Sequence, residues 1–178
     1  MSPPRYLLLD RDGTLIVEVD HLHEPDRVVI VPGAVDALRQ FAEAGWRFVV
    51  VTNQSGVARG IFTLEQMHSV NARVDALLRA EGIVIDGFYA CPHAPEISEC
   101  DCRKPKPGLI HQAMADRPFD PTVAVMVGDK ALDIGLGKAV GARTVLVRTG
   151  HGRNTELAGT ANPDWVVDSL GELRVDGL

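Results

Sequence analysis

Hydrophobic residues in this chain fall into short unbroken runs, separated by longer stretches in which they recur at helical spacing. RYLLLD (5–10) is a run of apolar residues closed by a carboxylate, the pattern of a parallel strand buried on both faces. After a polar stretch to about residue 32, GAVDALRQFAEAG (33–45) sets Val35, Leu38 and Ala42 on one helical face and ends on Gly45, a C-terminal cap. RFVVVTN (47–53) predicts a second strand. Thr63 with Gln66 three positions on makes a capping box for a helix to about residue 81, whose Val70, Val74, Leu77 and Leu78 share a face. IDGFYA (85–90) predicts a strand and PGLIHQAMADR (107–117) a helix with proline in its first turn. VAVMVGD (123–129), TVLVRTG (144–150) and DWVV (164–167) complete the strands.

Strands alternate with helices, and the connections are too long for hairpins. The expected fold is therefore α/β: a Rossmann-like open, mainly parallel sheet with helices on both faces and ligands at the carboxyl ends of its strands. No repeat, low-complexity tract or linker divides the chain, so a single domain over residues 1–178 is expected. Segments 16–31 and 55–62 are too short for a separate cap domain.

Composition narrows the partners. A hydrophobic fraction of 46% with 24% charged residues suits a packed globular core. Aromatics at 5% and a net charge of -6 argue against nucleic acid, although a local basic pocket for a small anion is compatible with them. The N-terminal MSPPRYLLLDRDG lacks the apolar region of a signal peptide, and no run approaches the ~18 apolar residues of a membrane span. The expectation is a cytoplasmic, monomeric protein with no membrane partner. In that reducing compartment, three cysteines clustered within twelve positions indicate metal rather than disulfide.

Polar residues gather where the predicted strands end. Asp10 and Asp12, two apart in an extended segment, lean to the same side just past the apolar run. A bare DxDG reads equally well as a turn. Two carboxylates this close repel, and a hard cation such as Mg²⁺ removes the repulsion. Thr52, Asn53 and Ser55 offer hydroxyls and an amide to a phosphate oxygen at the second strand's end. Arg103 and Lys104 precede the helix at about Pro107; Asp129 ends a buried strand just after Gly128, where a carboxylate also serves as a cap for the next helix, and Asp133 lies one helical turn later. Acid, hydroxyl, base and acid in that order suit attack of an aspartate on a phosphate ester, with Mg²⁺ between carboxylates and phosphoryl oxygens.

DRDGT after a strand, a threonine at the second strand, a lysine before a helix and GD at a later strand together resemble the four motifs of the haloacid dehalogenase superfamily of phosphatases. The resemblance implies that Asp10 is the nucleophile and Asp12 the acid, then base, of a two-step displacement. It places Thr52 and Lys104 on the phosphoryl oxygens, and a catalytic Mg²⁺ on Asp10, the backbone carbonyl of Asp12, and Asp129. Lys130, beside a metal ligand, is a candidate for orienting substrate, and Asp133 receives only a supporting role.

Cys91, His93, Cys100 and Cys102 form CxHx6CxC. Three thiolates and an imidazole complete a tetrahedral Zn²⁺ shell, leaving no position for water, so the expected ion is structural. It would pin an irregular loop and fix Arg103 and Lys104 directly after its last ligand. Unmetallated thiols are the alternative, but free cysteines are usually scattered in the core. The histidines at 21, 23, 68, 111 and 151 show no such grouping, although His21 and His23 lie in the loop after the first aspartates.

CPH…CDCRKP narrows the resemblance to small zinc-loop phosphatases that act on a heptose bisphosphate or on histidinol phosphate. TNQSGVARGIFT and MVGDKALD resemble the heptose group, whereas the six residues between His93 and Cys100 make a loop closer in length to the histidinol group. The resemblance spans about residues 5–152 and implies removal of the 7-phosphate of D-glycero-D-manno-heptose 1,7-bisphosphate, with histidinol phosphate as the alternative substrate. Arg103 and Arg59 suit the phosphate that is not cleaved, through charge-assisted hydrogen bonds, whereas an amine and an imidazole are poor partners for arginine. Glu18, Val19, Asp20, His21, Asn53, Gln54 and Ser55 are candidate sugar contacts by resemblance. Two readings from other classes are a non-catalytic zinc-stabilised interaction module and a phosphate-accepting receiver. Filled catalytic positions weigh against the first; a receiver would lack the zinc cluster and the second aspartate.

Overall fold

The computed structural model describes residues 4–178. Its chain runs β1 (Arg5–Leu9), α1 (Ala34–Glu43), β2 (Trp46–Asn53), α2 (Leu64–Ala80), β3 (Gly87–Cys91), α3 (Gly108–Asp116), β4 (Val125–Gly128), α4 (Ala131–Ala139), β5 (Arg143–Val147), α5 (Gly152–Ala158) and β6 (Trp165–Val167), with short 3-10 turns between. The strands form one sheet of order β3-β2-β1-β4-β5-β6, parallel at every pairing. This is the open α/β architecture expected from the alternation of patterns.

Alternate residues of the central strands feed two cores. Leu7, Leu9, Phe48, Val50, Val125 and Val127 pack with Leu38 and Phe41 of α1 and with Val70, Val74 and Leu78 of α2. Tyr6, Leu8, Val49, Val51 and Met126 pack on the other face with Leu109, Ile110 and Ala113 of α3 and Leu136 of α4. Both faces of the central strands are thus dry, which is why their sequences read as unbroken apolar runs. Truncating one of these side chains, as in Leu8→Ala, removes about 2–5 kcal/mol.

Local signals hold where they are strongest. Thr63 Oγ1 accepts from the Gln66 N–H at 3.1 Å while Gln66 Oε1 accepts from the Thr63 N–H at 2.8 Å, so the predicted capping box starts α2. Boundaries shift elsewhere: β3 begins at Gly87 rather than 85, and Pro107 caps α3 instead of lying inside it. Helices α4 and α5 follow no apolar spacing that marks them in the sequence; Leu157 of α5 is among the most exposed apolar residues. Among the described residues no helix is long and apolar enough to cross a membrane.

Register sets the site. Leu9 pairs with Val50 on one side and Val127 on the other, so Asp10, Thr52 and Asp129 leave the sheet within one residue of a common level. Arg103 and Lys104 enter from the connection between β3 and α3, and His151 from the one after β5.

Candidate active site

Lys104 organises the floor of the site. It is 4% exposed, and its ammonium donates to Asp10 Oδ1 at 2.6 Å and to the Val51 carbonyl at 2.8 Å, and lies 2.7 Å from Asp133 Oδ1. An ammonium has three protons, and here three acceptors meet them. Burial works against the charge on Lys104, but Asp10 and Asp133 outweigh it and hold the group above its usual range. Asn53 clasps the same residue through its backbone: its Oδ1 accepts the Lys104 N–H at 3.0 Å and its Nδ2 donates to the Lys104 carbonyl at 3.3 Å. The end of β2 therefore fixes where the lysine enters the site.

Asp129 is fully buried at the start of the β4–α4 turn. Its Oδ2 accepts from the His151 N–H at 2.8 Å, and Lys130 Nζ lies 3.2 and 3.3 Å from its two oxygens. One oxygen each of Asp10, Asp129 and Asp133 falls within a common 4.8 Å span. Asp133 spends its oxygens on Lys104 and on the Lys130 N–H, 2.9 Å away, so it serves the lysine and the start of α4 together. Burial pushes the Asp129 carboxyl up to about 8, with Asp10 the next cause; burial also raises Asp10, and Asp133 adds to it.

The residues fit a divalent cation. Three buried carboxylates face two lysines, an excess of negative charge that a hard ion with oxygen ligands relieves. Space is kept for the Asp129 carboxylate by Gly13 and Gly150, both at positive φ: a Cβ at either would strike that carboxylate.

Above this floor opens a cavity of about 240 Å³. Asp10, Asp12, Glu18, Val19, Asp20, His21, Thr52, Asn53, Gln54, Ser55, Arg103, Lys104 and Lys130 all line it, which brings together nearly every candidate read from the sequence. Gln54 Nε2 donates to both Asp12 Oδ2 and Thr52 Oγ1 at 2.8 Å, tying the ends of β1 and β2. Glu18 Oε2 is buried with no hydrogen-bond partner among the described residues. Burial raises the Glu18 carboxyl, against the pull of Lys130.

Arg59, expected at the second phosphate, lies apart from these residues. It does not line the cavity; its Nε donates to Glu96 Oε1 at 2.5 Å, linking the loop after β2 to the cysteine loop. The guanidinium holds the Glu96 carboxyl well below the usual range. Conversely, Phe62, Leu132 and His151 line the cavity without having been singled out as site residues. Phe62 stacks on the His23 ring, with centroids 5.9 Å apart, and sits so close to Gly56 that a Cβ there would overlap its ring. An aromatic flanked by Ile and Thr carries the pattern of a core residue, so only its place after the β2 loop pointed here.

The cysteine loop meets the other cation test. Cys91 Sγ lies 3.0 Å from Cys102 Sγ, 3.7 Å from Cys100 Sγ and 3.5 Å from His93 Nδ1. No disulfide joins these cysteines, and all four donor atoms fall within 4.8 Å of one another. Burial raises the Cys91 and Cys102 thiols. The loop is wired to the site: Gln54 N–H donates to the Cys91 carbonyl at 2.7 Å, and Arg103 Nη1 to the His93 carbonyl at 3.3 Å.

A parallel sheet ending in two strand-tip aspartates, a buried lysine and a third acidic turn defines a phosphoric monoester hydrolase of the haloacid dehalogenase class, and the HAD-hydrolase-like family model Hydrolase_like matches residues 101–173. The protein is 44% identical to D-glycero-beta-D-manno-heptose-1,7-bisphosphate 7-phosphatase of Yersinia pestis, over 94% of this chain and 92% of that one. Identity to the Escherichia coli K12 protein of the same name is 41%, over 94% and 90%. The crystal structure of D,D-heptose 1,7-bisphosphate phosphatase from B. bronchiseptica, complexed with magnesium and phosphate, superposes with a TM-score of 0.85 at 33% identity, covering 94% of each chain. The chain belongs to this family of heptose-bisphosphate 7-phosphatases.

Proposed function

We propose that this protein hydrolyses the 7-phosphate of D-glycero-β-D-manno-heptose 1,7-bisphosphate. The observation that carries the reading is the meeting of Asp10, Lys104 and Asp129 at one end of the sheet, in a chain 44% identical to an enzyme named for that reaction.

In the first step a carboxylate oxygen of Asp10 attacks phosphorus, the ester P–O bond breaks, and Asp12 gives its proton to the departing sugar alkoxide. In the second, Asp12 takes a proton from water as the water's oxygen attacks the aspartyl phosphate, freeing inorganic phosphate and the Asp10 carboxylate. Lys104 and the Thr52 hydroxyl stand beside Asp10 to meet charge on the phosphoryl oxygens. Magnesium held by Asp10, Asp129 and the Asp12 carbonyl would supply further charge neutralisation there. Zinc held by Cys91, His93, Cys100 and Cys102 would supply a cross-link that orders the loop carrying Arg103 and Lys104. Because that site needs free thiols, the reading assigns the protein to a reducing compartment, the cytoplasm.

Arg103 and Lys130 give the cavity the cations to hold a second phosphate, and Glu18 Oε2, which accepts no hydrogen bond, is an acceptor for a sugar hydroxyl. The test is phosphate release with added Mg²⁺ from both anomers of the bisphosphate and from histidinol phosphate, alongside elemental analysis for zinc. A higher kcat/KM on histidinol phosphate, or no Mg²⁺ dependence, would refute the reading; about one zinc per chain is expected.

A further inference from the structure

Arg11 is a charged residue with no exposed surface. It lies between the two aspartates of the DRDGT segment, yet its side chain goes neither to solvent nor to Asp10. Its Nε donates to Asp12 Oδ2 at 3.1 Å and its Nη2 to Asp12 Oδ1 at 3.2 Å, a two-pronged grip on its own neighbour. Its Nη1 donates to Asn71 Oδ1 at 2.7 Å. The loop is wound tightly enough to allow this: the Arg11 carbonyl accepts from the N–H groups of Leu15 and Ile16, both at 3.0 Å, and Gly13 turns the chain at a φ of 80°.

Asn71 is as unexpected as its partner. It is 6% exposed and sits on the buried face of α2 with Met67, Val70, Val74 and Leu78, where an apolar side chain would pack at lower cost. A buried guanidinium and a buried amide that serve only packing are poorly chosen, since apolar residues of similar volume are usually neutral or better for stability. Arg11 instead reaches Asp12, the one cavity-lining carboxylate it touches, and Asn71 in turn holds Arg11. With Gln54 Nε2 the carboxylate has two donors on Oδ2 and a single hydrogen bond on Oδ1. Oδ1 keeps the freer lone pairs, and the plane of the group is fixed from two sides.

We propose that Arg11, backed by Asn71, is a positioning residue that holds the Asp12 carboxylate in the orientation its proton transfers require. It touches neither the cavity nor the reacting atoms, and it acts through Asp12 alone. A misplaced acid costs rate according to how much the leaving group needs a proton, and a displacement of about 1 Å costs on the order of 100-fold. A purely structural role would lower the rate on all esters alike.

The inference rests on the acid–base reading of Asp12, and the test separates the two. Arg11→Met, Asn71→Leu and Asp12→Asn are compared by kcat/KM on an alkyl phosphate, whose leaving group needs a proton, and on p-nitrophenyl phosphate, whose leaving group does not. This ratio reports only steps through departure of the alcohol, so the later attack of water does not blur it. Expected are losses of at least ~10-fold on the alkyl ester and under ~3-fold on the aryl ester for Arg11→Met, with the same bias in Asn71→Leu. Combining Arg11→Met with Asp12→Asn should add almost nothing to Asp12→Asn. Equal losses on both esters in Arg11→Met and Asn71→Leu, while Asp12→Asn stays selective, overturn the positioning role. Equal losses in Asp12→Asn itself overturn the acid–base reading beneath it. If Arg11→Met does not fold, as judged by circular dichroism, Asn71→Leu carries the same comparison: selective loss on the alkyl ester supports the role and equal loss overturns it.

Discussion

The floor and the rim of the cavity are built on opposite principles. On the floor, Asp10, Lys104, Asp129 and Asp133 are nearly or wholly buried, and the three protons of the Lys104 ammonium are all matched to acceptors. At the rim, Arg103 is half-buried and anchored by one bond to the His93 carbonyl, Asp20 is exposed, and Glu18 Oε2 accepts no hydrogen bond, the Lys130 ammonium standing 3.6 Å away. A saturated floor cannot discriminate among substrates, because it meets only the phosphoryl group that all of them share. An unsaturated rim can, because each open donor or acceptor is satisfied by some substrates and stranded by others. Chemistry therefore belongs to the floor and selection to the rim, and substitutions should divide along that line.

The largest effect is expected from Asp10→Asn. An amide cannot form the aspartyl phosphate, so kcat should fall by at least about a thousandfold on every phosphate ester. The same change removes one of the crowded buried carboxylates, and the variant should melt no lower than about 2 °C below the parent. Turnover near the parent value would put Asp10 outside the chemistry and dissolve the contrast at its base.

Asp133→Ala ranks next and acts through Lys104. Removing one partner of a buried ion pair strands the other, at about 3–5 kcal/mol. Here Asp10 and the Val51 carbonyl still hold the ammonium, so the lower end is expected, read as a shift in the denaturation midpoint. Activity should fall on all esters together, since the lysine serves the shared phosphoryl group. A loss confined to bisphosphates would move Asp133 from floor to rim.

Arg103→Ala should behave as a rim change. One charge-assisted contact is about 1.5–3 kcal/mol, so kcat/KM for the heptose bisphosphate should drop roughly 10- to 100-fold. Hydrolysis of a monophosphate should change far less, provided zinc content shows the loop intact. Equal losses would mean that Arg103 serves the reacting phosphoryl group.

How much of this was legible follows the range of each interaction along the chain. Apolar runs, the Thr63–Gln66 box and the CxHx6CxC spacing are local, and each stands in the structure at or near its expected place. Asp10, Thr52, Lys104 and Asp129 were legible one by one because each sits at a strand end or helix approach. The partnerships that organise them were not: Asn53 clasps the Lys104 backbone across 51 positions, and Lys104 reaches Asp10 across 94. Neither Arg11 nor Asn71 stood out in the sequence. Only the packing of α2 against the sheet brings Asn71 to Arg11, 60 positions away, and so backs the grip of Arg11 on Asp12.

Arg59 gives the smallest expected effect and the sharpest edge to the comparison. Its charge made it a candidate for the second phosphate beside Arg103, which the sequence sets apart only by its place between the last cysteine and Lys104. In the structure it is exposed, outside the cavity lining, and its guanidinium is already engaged by Glu96. To reach a phosphate it would have to give up that partner, whereas Arg103 is tethered only by a backbone carbonyl. An exposed ion pair contributes little to stability and is screened by salt, so Arg59→Ala should change kcat/KM by less than about threefold on bisphosphate and monophosphate alike. Glu96→Gln separates the remaining possibilities. If it frees Arg59 toward the substrate, bisphosphate hydrolysis will improve at low salt in the single variant but not with Arg59→Ala present. A tenfold loss on the bisphosphate in Arg59→Ala would extend the rim to this loop and overturn the boundary drawn here. Parity between the substrates would leave Arg103 as the arginine that distinguishes them.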